Sequence, residues 1–184
     1  MIRPGFCGIL VSFFKEDNMI YAFDTYYYEG YANTVCIAFE DWASEKEVET
    51  FIEQTSVSSE YESGAFYKRE LPCILSLLKK ITLRPEDIII VDGYVTLDND
   101  GKIGLGGHLY KELEEKYPIV GIAKNEFTTP DSQRRNVVRG ESKTPLFVTA
   151  KGIDVDEVQL KVEHMHGAYR MPTLLKKLDQ LSRS

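Results

Sequence analysis

Apolar and polar positions divide the chain into runs with two periods. Residues 8–14 and 19–28 are apolar and aromatic, and each reads as a strand, with Lys15-Glu-Asp-Asn18 as a turn between them. Glu29-Gly30 turns the chain back. Over Asn33 to Phe39, Val35, Ile37 and Phe39 alternate with Thr34, Cys36 and Ala38, the period of a half-covered antiparallel partner. Residues 41–55 are polar, with Trp42, Val48, Phe51 and Ile52 at roughly helical spacing, and read as a helical excursion or a decorated loop. Residues 57–64 predict a short, polar third strand.

The period then changes. Cys73, Ile74, Leu77, Leu78 and Ile81 form one helical stripe over 65–81. Pro72 fits a first turn, so the regular helix is expected to begin near Glu70, with that carboxylate at the helix mouth. Ile88-Ile-Ile-Val91 is a continuous β-branched run, as in a strand covered on both faces, and it ends on Asp92 and Gly93. A loop over 94–103 follows. Its Asp98-Asn-Asp-Gly101 lacks the spacing and closing Glu of a calcium loop and reads as a polar turn. Gly104-Leu-Gly-Gly-His108 opens a helix to about Lys116, and Ile119 to Ala123 is another buried strand, ending on Lys124. Such a strand–helix–strand unit is a right-handed parallel crossover.

Residues 125–144 hold Arg134, Arg135, Arg139 and Lys143, and predict a mobile, basic surface excursion able to grip phosphates. A last strand over 145–149 and amphipathic helices over 154–166 and 172–183 complete the chain. His164 and His166 fall on the first of these helices and read as surface residues. This order predicts an α/β protein: a mixed sheet with antiparallel first strands, a parallel crossover and helices on both faces.

At 184 residues, the span 1–184 is expected to be a single domain. The formal net charge of -7 argues against a large non-specific nucleic-acid surface, though not against a local basic groove. Three cysteines, Cys7, Cys36 and Cys73, sit among apolar residues with no paired spacing, as small hydrophobes in a reducing compartment do. No apolar run reaches membrane-spanning length, so a cytoplasmic setting without a membrane partner is expected.

Three acids stand out against this pattern. Asp24 lies in mid-strand between Phe23 and Thr25, where a buried carboxylate needs a partner or a metal. Asp92 ends the central strand, where open α/β sheets place their sites, with Gly93 permitting close approach. Glu70 is the third. If the strands of Asp24 and Asp92 are neighbours, their carboxylates face each other, and such oxygen ligands suit Mg²⁺ or Mn²⁺. A carboxylate cluster of this kind can drive in-line cleavage of a phosphodiester.

With these acids the sequence resembles the endonuclease V family, whose fold is ribonuclease H-like. Phe23-Asp-Thr-Tyr-Tyr27 is similar to its first-strand Asp-x-x-Tyr. Phe66-Tyr-Lys-Arg-Glu-Leu-Pro72 is similar to Phe-x-x-Arg-Glu-x-Pro. Val91-Asp-Gly93 and Gly104-Leu-Gly-Gly-His-Leu109 resemble Val-Asp-Gly and Gly-Leu-Ala-Ser-His-Leu. Val120-Gly-Ile-Ala-Lys124 resembles Ile-Gly-Val-Ala-Lys, and Tyr169-Arg-Met-Pro-Thr173 the family's ending. The resemblance implies that Asp24 and Asp92 bind Mg²⁺ (or Mn²⁺), that Glu70 completes the acidic site, and that Lys124 contacts a phosphate or the nucleophile. It implies cleavage of DNA or RNA on the 3′ side of inosine, with Tyr61, Gly64 and Gly93 against the substrate.

There are departures. The family's Pro-Tyr-Ile-Pro-Gly wedge is Glu60-Tyr-Glu-Ser-Gly64 here, Val95 replaces the second glycine of Val-Asp-Gly-x-Gly, and Ala150-Lys-Gly152 stands where the family has Gly-His-Arg. The alternative reading is a divergent, non-catalytic member that binds nucleic acid or protein on the same scaffold.

Overall fold

The β-branched and aromatic runs assemble into one mixed sheet. The structure, a computed structural model, describes residues 18–57 and 66–184. The strand expected over 8–14, together with Tyr61 and Gly64, lies outside the described residues. The strands are β1 (Ile20–Tyr27), β2 (Tyr31–Phe39), β3 (Glu49–Ser56), β4 (Ile88–Asp92), β5 (Ile119–Ala123), β6 (Arg135–Val137) and β7 (Leu146–Lys151). They lie in the order β3-β2-β1-β4-β5-β7-β6. The β1–β2 and β2–β3 pairs are antiparallel, while β1–β4 and β4–β5 are parallel. The β5–β7 and β6–β7 pairs are antiparallel again. This is the mixed, ribonuclease H-like arrangement that the resemblance implied.

Side chains alternate between two covered faces. Tyr21, Phe23, Ile89 and Val91 pack under α1 (Phe66–Leu78) and α2 (Leu105–Glu112). Ile20, Ala22, Ile88 and Ile90 pack under α3 (Val155–Glu163) and α4 (Thr173–Ser182). Because both faces are buried, β4 is apolar at every position until Asp92, as its sequence predicted. Buried Asn33 on β2 ties α4 down: its Nδ2 donates to the backbone carbonyls of Ser182 at 2.8 Å and Leu181 at 3.4 Å. No described helix is long and apolar enough to cross a membrane.

Several expectations are corrected. The third described strand is Glu49–Ser56, inside the segment read as helix or loop, while the strand expected over 57–64 falls on residues that, beyond Val57, lie outside the described ones. Phe51, Glu53 and Thr55 are half-buried while their neighbours are exposed, the period of an edge strand covered on one face. Helix α1 begins at Phe66 and carries Pro72 in its interior, so Glu70 stands in the second turn and not at the mouth. Helix α2 stops at Glu112, ahead of Glu114 and Glu115, both of which adopt positive φ. Helices α3 and α4 are each shorter than their predicted spans.

The basic stretch over 125–144 is part of the fold. It supplies β6, and Arg134 and Arg139 are buried. Arg139 donates to the backbone carbonyls of Glu163, Met165, Gly167, Tyr169 and Arg170. Arg134 donates to the Phe127 carbonyl at 2.9 Å and pairs with Glu126 and Asp131. Buried guanidinium groups need partners for their donors, and apart from Arg134 Nε, which has none, these find them within the protein. They cannot serve as a phosphate-binding arm.

Candidate active site

The site is built where β4 stops. The parallel register pairs Phe23 with Val91, so the next step sets Asp24 beside Asp92. By alternation with Ala22 and Ile90, both carboxylates project from the face that α4 covers. Beyond Asp92 the chain turns away through Gly93, whose φ of +136° is one that residues with a Cβ rarely adopt. Gly121 on β5 lets that turn pass close: a Cβ there would stand 2.5 Å from the Gly93 carbonyl oxygen. The opening holds a cavity of about 540 Å³ whose walls include Asp24, Tyr27, Glu70, Asp92, Gly93 and Lys124.

Glu70 reaches this cavity from α1, on the opposite face of the sheet. It is 2% exposed, and its Oε2 has no hydrogen-bond partner. Burial, then the charges of Asp24 and Asp92, push its carboxyl well above the usual carboxylate range. Asp24 is also raised, first by burial. The hydroxyl of Ser182, which donates to Asp24 Oδ2 at 2.5 Å, opposes that rise, and Asp92 adds to it.

On the α4 side, Lys124 at the end of β5 pairs with Asp92 at 3.3 Å and with Asp179 at 2.9 Å. Burial alone would lower the ammonium pKa, but the two carboxylates outweigh it and raise it. Asp24, Asp92, Lys124 and Asp179 line one recess beneath α4. Among the described residues, no three His, Cys, Asp or Glu side chains converge closely enough to hold a metal ion as they stand. The reason is visible in the bonds: Ser182 holds Asp24, Lys124 holds Asp92 and Asp179, and Glu70 enters from the other face.

The sequence profile of endonuclease V matches residues 10–158. The chain belongs to the endonuclease V family.

Solved endonuclease V structures share the fold. That of Bacillus subtilis superposes with a TM-score of 0.71 at 20% identity, covering 90% of this chain and 78% of that one. Human ENDOV gives 0.69 at 17% identity, covering 90% and 83%. The Ciona intestinalis endonuclease V, solved with a 24mer DNA containing an inosine followed by a ribo-adenosine, gives 0.70 at 17%, covering 92% and 86%. No curated protein matches the sequence.

Residues from four of the segments that resemble endonuclease V motifs thus meet in space. Asp24, Glu70, Asp92, Gly93 and Lys124 all line one cavity. Tyr61 and Gly64 belong to the undescribed segment. His164 and His166 are exposed, as expected, and stand outside the cavity walls. Sequence reading missed Asp179 and Ser182. An Asp in an amphipathic surface helix carries no local signal, and only the docking of α4 on β1 and β2 brings it to Lys124. Lys124 and Arg183 hold Asp179 below its ordinary range, although burial opposes them.

The raised Glu70 carboxyl sets a pH dependence for this chain without divalent cations. The unfolded chain releases this proton near the ordinary value of 4.5, while the folded chain keeps it to higher pH. Between those two values the folded state binds more protons, so this group's contribution to stability falls as pH rises. Calorimetric melting is expected to show Glu70→Gln gaining on wild type as pH rises from about 4.5 toward neutrality. A constant difference between the two across that range contradicts the assignment.

Proposed function

We propose that this chain is a metal-dependent endonuclease that hydrolyses a phosphodiester on the 3′ side of a deaminated base, inosine, in nucleic acid. The observation that carries the reading is the buried, unpartnered Glu70 oxygen, which shares one cavity with Asp24 and Asp92. Clustered carboxylates without a positive charge between them repel, and all-oxygen donors of this type suit Mg²⁺ or Mn²⁺. The residues therefore fit such a cation. Asp24, Asp92 and Glu70 would hold it, with Asp179 as a fourth acid.

When bound, the cation supplies Lewis-acid activation and neutralises charge on the phosphate. The chain's own groups do the rest. Asp24 and Asp92 sit on adjacent paired strands, which fix their spacing. Lys124 stands between Asp92 and Asp179 and, on release from either, offers its ammonium to a phosphate oxygen. Gly93 keeps the cavity wall low, so that backbone and base can approach.

The substrate preference follows from what is absent from the wedge. Drawing a base out of a duplex costs a few kcal/mol. Glu60 and Glu62 replace apolar wedge residues and repel phosphates. Inosine-containing single-stranded DNA, duplex DNA and single-stranded RNA are compared side by side with Mg²⁺. Single strands are expected to be cut about tenfold faster than intact duplex or more. Equal cutting of the duplex rejects the preference. Failure to cut any of them while Mn²⁺ still binds supports the non-catalytic reading.

A further inference from the structure

The far end of β1 carries an aromatic ladder that catalysis does not use. Tyr26 projects on the same side of β1 as Asp24, two residues on, and Tyr28 follows where the strand runs into the hairpin turn. The Tyr26 and Tyr28 rings meet edge to face at 5.0 Å, and Tyr28 stacks on Tyr31 across the hairpin at 4.8 Å, with 12° between planes. At the other end the Arg183 guanidinium lies 4.7 Å from the Tyr26 ring centre. All three rings are half-exposed. Tyr26 and Arg183 are also walls of the acidic cavity, so the ladder continues from that cavity to the tip of the β1–β2 hairpin.

We infer that this ladder is a stacking platform for the bases of single-stranded nucleic acid entering or leaving the cavity. The inference rests on the nuclease reading above. Three observations favour this occupant. The ladder is continuous with the cavity where a phosphodiester would be cut. The net charge of -7 gives polyanions no general attraction. The buried basic residues Arg134 and Arg139 bond the protein's own carbonyls and carboxylates. With so little general attraction, contacts that do not depend on charge must add to those of Lys124 and Arg183, and base–aromatic stacking is of that kind, tolerant of sequence. Tyr28 and Tyr31 alone would make an ordinary cross-strand pair. Tyr26 and Arg183 extend that pair to the site.

The test uses the whole chain with Tyr28 and Tyr31 replaced together by Leu, which keeps apolar bulk, or by Phe, which keeps the ring. Binding of fluorescein-labelled oligothymidylate is read by anisotropy, and inosine cleavage is measured on strands of about 20 and about 5 nucleotides. The Leu pair is expected to weaken oligothymidylate binding about tenfold or more and to raise KM for the longer strand. Its kcat and its activity on the short strand stay at wild-type level. The Phe pair behaves as wild type. Wild-type cleavage with an unchanged KM in the Leu pair overturns the platform alone. So does a Phe pair that loses as much as the Leu pair. A wild-type chain that neither binds nor cuts any strand overturns the platform together with the nuclease reading.

Discussion

Asp92→Asn is expected to lower inosine-directed cleavage by about 10³-fold or more. It is also expected to remove most of the Mn²⁺ binding measured by calorimetry. Asp92 ends β4 beside Asp24, with its side chain partly open to the cavity. The amide keeps the shape and loses the charge that attracts a cation. It also removes the ion pair to Lys124, so the ammonium is left with Asp179 alone. Because that pair is partly solvated, its loss changes stability by about 1 kcal/mol or less. The variant should therefore melt close to wild type while losing activity. Undiminished Mn²⁺ affinity in the folded variant would refute the metal assignment.

The largest effect on stability is expected far from that cavity. Arg139 is 5% exposed, and its guanidinium is ringed by carbonyls from the segment joining α3 to α4. Arg139→Leu leaves those acceptors without donors in a buried place, a loss of about 3 kcal/mol or more. For a chain of this size that lowers Tm by about 10 °C. Arg139→Lys places one ammonium where a planar fork served several carbonyls, and it should recover only a small part. Thermal melting followed by circular dichroism decides the matter. An Arg139→Leu protein within a few degrees of wild type rejects the assigned role.

The sheet's centre was legible because its signals are strong. Ile88 to Val91 has no polar interruption, and Val35, Ile37 and Phe39 alternate cleanly. The missed pieces obey weaker rules. β3 is an edge strand with a polar Glu53 on its covered face and an apolar Ile52 on its exposed one, and these two hid its period. Pro72 misled because a helix interior tolerates a proline when packing outweighs the lost hydrogen bond. Moving the helix start to Phe66 changed the meaning of Glu70, from a surface cap to a buried acid aimed at the site. Arg134 and Arg139 read as surface charge because composition cannot show where a guanidinium finds its acceptors. Asp24, Glu70, Asp92 and Lys124 were reached by their place in strands and motifs. Asp179 depends on a contact that no local pattern carries.

The tie between Asn33 and the end of α4 bears on how the protein is made. The two partners are 149 residues apart in sequence. Contacts of such separation close late, after the entropy of a long loop has been lost. Asp24 and Asp92 come together with the sheet, but Asp179 and Ser182 arrive only when α4 docks. A growing or half-folded chain therefore presents an incomplete centre. The partners of Asp24 and Lys124 on α4, Ser182 and Asp179, are then the last groups of the centre to be placed.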